Sequence, residues 1–434
     1  MKKRIIAALL AGIMMAGCGQ EAVSQSGLTD SETVNVSESV KPFEVSYTEN
    51  DLNEEWISAL SGSSVSIFEN VLEEEGEGKN ILVSPTSVMM AFGMLENGAR
   101  GETLSQIETV INGGVPVQQM NPIMYAMADH FESSEDVKWN VANSVWARND
   151  GTLEIVPEFA QAAKSWYDAD VWMAAFDEGT VRDINGWVND ETRGMIDSII
   201  NDISDETVMY LINAMAFEGE WLNEYETEDI IEEFTFTNFD GSSSEVTMLR
   251  STEASYLDFG NGLGFIRPYK GGDYSFVGIL PDEGVTVNDF IASLSENGID
   301  FSEAVRNPRY HDADIIVMMP EFSSEYSLEM SDVLKGMGME LPFSRTEADL
   351  SGLLRPAGDG DFDIWISKVI HKTFIEVNRE GTRAAAVTAI GVDTCSAVPD
   401  FTPPIYITLD RPYVYAIVDN ATGLPVFLGC VNQL

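Results

Sequence analysis

The chain has 434 residues, 72 of them Asp or Glu against 24 Lys or Arg, for a formal charge of −48. A surface of that sign repels polyanions, which excludes nucleic acid as a partner and argues against heparin. With 44% hydrophobic residues the chain can bury the core of one large domain or two ordinary ones, and its three cysteines cannot make a disulfide framework.

Met1-Lys2-Lys3-Arg4 and the apolar run Ile5–Met15 read as the n-region and h-region of an export signal, too short to persist as a membrane span. The small residues before Cys18, in Met15-Ala16-Gly17-Cys18, resemble a bacterial lipobox with Met15 in place of the usual Leu. Cleavage there removes residues 1–17 as a signal peptide. Lipidation of the Cys18 thiol and amine then anchors the protein stably, because one acyl chain alone is marginal and two are not. The competing expectation is an ordinary secreted protein with an incidental cysteine. Residues 18–50, with few aromatics and no helical period, read as a disordered tether whose roughly 30 residues hold the body clear of the membrane.

The body begins near residue 51. Trp56, Leu60, Ile67, Phe68 and Leu72 carry a helical period that ends in the Glu-rich turn Glu73–Gly78. Asn80–Val83 is a short apolar strand, followed by a helix with Ser84 as its N-cap and Pro85 in its first turn. At the other end, Tyr413–Val418 and Leu424–Val431 are two buried strands joined by Asp419–Gly423, with Cys430 as a small core residue. No linker, repeat or second hydrophobic segment divides residues 53–434.

The stretch that organises the chain runs from His371 to Pro412, and within it Gly381–Ser396 is the most informative. Thr382, Ala384, Ala386, Thr388, Ile390, Val392 and Thr394 are uncharged, while the alternate positions hold both charges, Arg383 and Asp393. That is the period of a strand with one face meant for a core, and no proline interrupts it before Pro399. Yet Gly381 precedes it and Ala397–Pro404 follows, which are the flanks of an exposed loop. A segment built like an interior strand but held in a loop stores conformational energy and is ready to join a sheet.

His371–Ala389 resembles the hinge of the serpins, and Asp410-Arg411-Pro412-Tyr413-Val414-Tyr415 resembles the strand that follows their reactive loop. Further motifs in order carry the resemblance across residues 53–434: Asn80–Ala91 with Asn97–Thr103, Asn143–Trp146, Ile184–Ile196, Leu211–Trp221, Pro268–Pro281, Met318–Phe322, Leu334–Met339 and Ala348–Gly352. The resemblance implies an α+β serpin fold with three β-sheets, about nine helices and an exposed reactive centre loop near 380–404, all in one domain over 51–434. Glu218 and Glu220 stand where the family usually has lysines, and Arg379 and Arg383 replace residues that are commonly acidic.

What the resemblance implies about function is a suicide-type inhibitor of serine proteases, not an enzyme. Ser84, Ser87, Asn213 and His371 match a buried polar cluster beneath the central sheet, where two strands part to admit the loop. Hydroxyl, amide and imidazole groups suit that place because they can exchange partners without being left unsatisfied. Glu380, Gly381, Thr382, Arg383, Ala384, Ala385, Ala386, Val387 and Thr388 match the hinge. Counting 14 residues beyond Gly381 places the reactive bond at Cys395–Ser396, with a one-residue slip to Thr394–Cys395 or Ser396–Ala397 left open. A small, uncharged Cys395 suits the shallow apolar pocket of an elastase-like enzyme and not a pocket with a buried acid. Cysteine proteases are a further target class, and a caspase cut at Asp393 would require a shifted bond.

In that mechanism the protease forms an acyl-enzyme and the freed segment joins the central sheet, carrying the enzyme with it. About 1 kcal/mol per ladder bond over roughly a dozen residues, plus Ile390 and Val392 at ~25 cal/mol/Å², exceeds about 10 kcal/mol. Arg383 has outward parity and Arg379 precedes the inserted part, so neither blocks insertion. The implied partners are a target protease in covalent complex and a membrane reached through the lipid anchor. The implied protein is a monomer without cofactor, in the bacterial cell envelope and outside the cytoplasm, at the cell surface or outer membrane, or released. Two other expectations compete. A non-inhibitory serpin acting as a binding or structural protein is opposed by the short side chains of Thr382, Ala384–Ala386 and Thr388. A cysteine hydrolase pairing Cys395 with His371, His130 or His311 is opposed by the lack of a positioned base around Cys395. Three scattered histidines with neither CxxC nor HExxH give no reason to expect a metal site.

Overall fold

The computed structural model describes residues 33–45, 53–133, 136–358, 363–382 and 402–434. It begins with a two-residue strand, β1 (Val34–Asn35), and joins the body through α1 (Glu54–Glu75), where the Asn53 side chain caps the helix by accepting from the Trp56 N–H at 2.9 Å. A short strand, β2 (Ile81–Val83), leads into α2 (Pro85–Glu96). The Ser84 hydroxyl caps this helix by accepting from the Ser87 N–H, and Pro85 occupies the first turn, where its missing N–H costs nothing. Helices α3 (Gly101–Asn112) and α4 (Val117–Ser133) follow, then β3 (Val137–Arg148), β4 (Leu153–Ile155), α5 (Pro157–Tyr167) and β5 (Asp170–Ala174). The middle of the chain runs through α6 (Glu178–Glu191), β6 (Met209–Glu220), β7 (Ile230–Thr237), β8 (Ser243–Glu253), β9 (Tyr256–Asp258), β10 (Gly262–Pro268) and β11 (Tyr274–Pro281). Next come α7 (Val287–Glu296), α8 (Phe301–Arg306), β12 (Ile315–Pro320), β13 (Phe322–Glu329), α9 (Ser331–Gly336) and β14 (Leu354–Pro356). The last strands are β15 (Lys368–Val377), β16 (Gly381–Thr382), β17 (Ile405–Thr408), β18 (Tyr413–Asp419) and β19 (Pro425–Val431).

The described strands form the three expected sheets and a small ribbon of β14 with β4. A seven-stranded sheet runs β1-β5-β3-β6-β16-β15-β13, a six-stranded one β2-β19-β18-β11-β10-β9, and a four-stranded one β17-β12-β8-β7. Nine α-helices surround them among the described residues. The seven-stranded sheet is covered on both faces at its centre, and this explains the near-continuous apolar run of β6, buried from Met209 to Phe217. Leu211, Met215 and Phe217 face the large core shared with the six-stranded sheet, whereas Tyr210, Ile212 and Ala214 pack with Ile184 and Val188 of α6 on the other side.

The expected disordered tether, 18–50, is corrected in part. Residues 33–45 are docked on the body: β1 extends the seven-stranded sheet beyond β5, with Val36 N–H donating to Val171 C=O at 2.7 Å. Ser37 is buried, and the Phe43 ring meets Trp166 edge-on at 5.2 Å. An unpaired edge strand attracts any backbone able to lie along it, whatever the polarity of its side chains. The expected signal peptide and Cys18 lie outside the described residues, as do Arg383 to Thr388, Cys395 and Ser396. Among the described residues, no helix is long and apolar enough to cross a membrane.

Candidate functional site at the parting of the central sheet

Strands β6 and β15 lie side by side and parallel, paired from Tyr210↔Lys368 to Ala216↔Phe374, and His371 faces Asn213 at the middle of that ladder. Both side chains point into the core beneath the sheet and are buried. The His371 Nδ1–H donates to Asn213 Oδ1, and His371 Nε2 accepts from the Ser84 N–H at 3.1 Å. The imidazole is therefore neutral in one fixed tautomer. Complete burial drives its pKa down from 6.5 to about 3. Asn213 Nδ2 donates to Asn143 Oδ1 on β3 at 2.6 Å and to Ser87 on α2. Ser84 Oγ–H donates to the Val426 carbonyl of β19 at 2.7 Å. The four residues expected to cluster do so, and through them one chain of bonds ties β3, β6, β15, α2 and β19 together.

Above this cluster the two strands diverge, and β16 sits between them. Thr382 pairs with Val377 of β15 and with Gly219 of β6, and Gly381 pairs with Glu220. The approach is so close that a Cβ on Gly381 would lie 2.1 Å from the Gly219 carbonyl oxygen, so only glycine serves at this hinge position. Thr382 is fully buried, and its Oγ1 lies 2.6 Å from the Tyr269 hydroxyl in a shared hydrogen bond. The residue that leads the uncharged face thus points inward, as the period requires.

The turn before β16 is held from several sides. Trp221 N–H donates to Glu380 C=O at 3.1 Å and its Nε1–H to Asn378 C=O at 2.9 Å. Asn378 Oδ1 accepts from the N–H groups of Glu380 and Gly381 at 2.9 and 3.2 Å. Arg379 forks onto Glu321 at 3.1 and 3.2 Å. Beneath them Trp221 stacks on Tyr269 with centroids 4.7 Å apart, and the buried Arg267, paired with Glu253 at 2.8 Å, lies 4.0 Å from the Tyr225 ring centroid. Sequence reasoning missed Asn143, Tyr269, Trp221 and Arg267 as parts of this site. Asn143, Trp221 and Tyr269 stood inside recognised motifs, but their side-chain partners come from parts of the chain far away in sequence.

The other candidates separate. Cys430 is buried in β19, and burial pushes its thiol up to about 12, which makes it an inert core residue. His311 bonds the Pro403 carbonyl at 2.9 Å, and His130 lies 3.1 Å from Asp419, so neither histidine is near His371's cluster.

The mixed α+β body thus has its central sheet parted at one end, with the two-residue strand β16 in the gap between β6 and β15. Residues 59–434 match the family described as serpin, serine protease inhibitor, and the chain belongs to that family. Serpin-Z2A of Triticum aestivum is 30% identical over 378 residues, covering 83% of this chain and 92% of that protein. Neuroserpin of Homo sapiens is 29% identical and covers 86% and 90%. Among solved structures, the thermophilic serpin tengpin in its native state is 35% identical, with a TM-score of 0.84 over 93% of this chain and all of that one. Tengpin in its latent state gives 0.75 over 88% at the same identity.

Proposed function

We propose that this serpin is a suicide-type inhibitor of serine proteases, with elastase-like enzymes as the favoured targets. The observation that carries this reading is β16: the hinge already stands in register between β6 and β15 with Thr382 turned inward. The direct β6–β15 ladder below it leaves a strand's place still to be taken, and the better fit to native than to latent tengpin supports the same state. The protease serine Oγ attacks the Cys395 carbonyl, the Cys395–Ser396 amide bond breaks, and Ser396 leaves with a protonated amine. Loop insertion then outruns hydrolysis of the ester. The Cys18 anchor, a monomeric state and a place in the cell envelope outside the cytoplasm belong to the same reading.

The test is incubation with a panel of serine and cysteine proteases, followed by denaturing electrophoresis and mass spectrometry. We expect an SDS-stable complex with an elastase-like enzyme and a released peptide beginning at Ser396. Turnover of the protein by every protease, with no covalent complex, overturns the reading.

A further inference from the structure

The helix capped by Ser84, with Ser87 in its first turn, ends in a buried carboxyl group that has no counter-charge among the described residues. Glu96, the last residue of α2, is 1% exposed. Its hydrogen bond among the described residues comes from Asn112 Nδ2 of α3, at 2.8 Å. The titratable groups facing it are Glu108 of α3 and Tyr167 of α5, and the Tyr167 hydroxyl donates to Asn121 Oδ1 of α4 at 2.7 Å. Arg100, four residues on, spends its guanidinium on the carbonyls of Asn97 and Ala99. An ionised carboxylate in this place would be costly.

The orphaned atoms show how the cost is avoided. Asn112 uses both amide hydrogens, on Glu96 Oε1 and on the Val115 carbonyl at 3.0 Å. Among the described residues its buried Oδ1 receives no donor, and buried Glu96 Oε2 has no partner either. Two groups already joined by one bond each lack a partner for their other oxygen, and a single proton on Oε2 satisfies both. The same reciprocal pairing occurs one residue away, where Asn97 and Asn121 exchange two amide bonds at 3.0 and 2.9 Å.

We infer that Glu96 is a neutral carboxylic acid in the folded protein, donating Oε2–H to Asn112 Oδ1 while accepting from Asn112 Nδ2. The α2–α3 junction is then an acid–amide clasp that opens as pH rises, when the proton is lost to solvent. Burial first, and then the Glu108 carboxylate, hold Glu96 well above the usual carboxylate range against the opposing pull of the Asn112 bond. A raised folded-state pKa contributes stability that is complete below the unfolded value of 4.5 and is lost as pH rises towards the folded value. Because α2 also seats the cluster between β6 and β15, the clasp makes the native state sensitive to rising pH at the helix that locks the sheet.

Glu96→Gln provides the test, since its amide donates permanently to Asn112 Oδ1 and still accepts from Asn112 Nδ2. As pH rises above the unfolded value of 4.5 towards the folded one, the unfolding constant of the parent should rise by up to about tenfold per pH unit relative to the variant. Carbon-13 resonance of the Glu96 carboxyl in the parent alone should report the protonated form at neutral pH, and this readout holds even if the variant folds poorly. Equal pH slopes for parent and variant, or a carboxylate resonance at neutral pH, overturns the inference.

Discussion

His371 is held neutral by two bonds of opposite sense, one accepted from the Ser84 N–H and one donated to Asn213, in a place that water does not reach. Because the folded pKa, about 3, lies below the unfolded 6.5, the unfolded chain binds the proton first as pH falls. Stability is therefore complete above the unfolded value and is lost as pH drops towards the folded one, by about 2 kcal/mol between pH 7 and 5. Denaturant unfolding of the parent and of His371→Gln at both pH values should show this loss in the parent only, since the many carboxylates titrate alike in both. The identity of this cluster was legible because Ser84, Ser87, Asn213 and His371 fall at recognisable places in the chain. Asn143 was not, because only the β3–β6 register brings it opposite Asn213. The partner of Thr382 was equally hidden: nothing local in Pro268-Tyr269 says that the phenol reaches a hinge 113 residues away.

At the scale of the strand, β16 turns a period into a register. Thr382 faces Val377 and Gly219, and each step along the loop moves one step back on both neighbours. If the proposed insertion keeps that register, Thr388, six residues on, would come between His371 and Asn213, and its hydroxyl, which can donate and accept, would replace the bond that the parting strands give up. Thr388→Val should leave both groups buried without that partner, at a cost of about 1–3 kcal/mol in the inserted state. The effect is read as a lower melting temperature of the loop-cleaved protein with little change in the intact one. Two residues earlier, Ala386 would come opposite Thr373 and Met215 in the core, so Ala386→Glu should stall the proposed insertion and turn inhibitor into substrate. As much SDS-stable complex as the parent gives would sink that register. In the same register Arg383 would fall on the outward face, opposite Glu376 and Glu218, one step on from the Thr382 pairs. Its two departures from the family pattern, arginine on the loop and glutamate on β6, are therefore complementary. Exposed pairs of this kind are worth up to about 1 kcal/mol, so Arg383→Glu should raise the number of inhibitor molecules consumed per protease, and more so at low salt. The inward place of Thr382 agrees with the period read in the sequence, and the alternating residues beyond it lie outside the described residues; the Trp221 and Arg379 supports of the turn were not legible, since they depend on β6 and β13 converging there.

Across the whole molecule, the family and its three sheets were legible from motifs in sequence, whereas the strand order within each sheet and the docking of residues 33–45 were not. That segment pairs through its backbone with the outer edge of β5, and its apolar contacts, Val36 and Val40 on the core and Phe43 on Trp166, are too sparse to mark a strand in the sequence. The larger consequence of the architecture lies between β6 and β15. Seven parallel pairs join them now, and an inserted strand would replace that one ladder by two antiparallel ladders running the length of both strands. The net change is the ladder bonds and inward side chains of about one strand, on the order of 10 kcal/mol. Spread over an unfolding entropy of about 2.1 cal/mol/K per residue, this raises the melting temperature by on the order of 10 °C. Limited proteolysis within 383–401, followed by calorimetry of intact and nicked protein under the same conditions, measures it directly. A nicked protein that melts with the intact one has taken up no strand, and a sheet that accepts none cannot trap a protease.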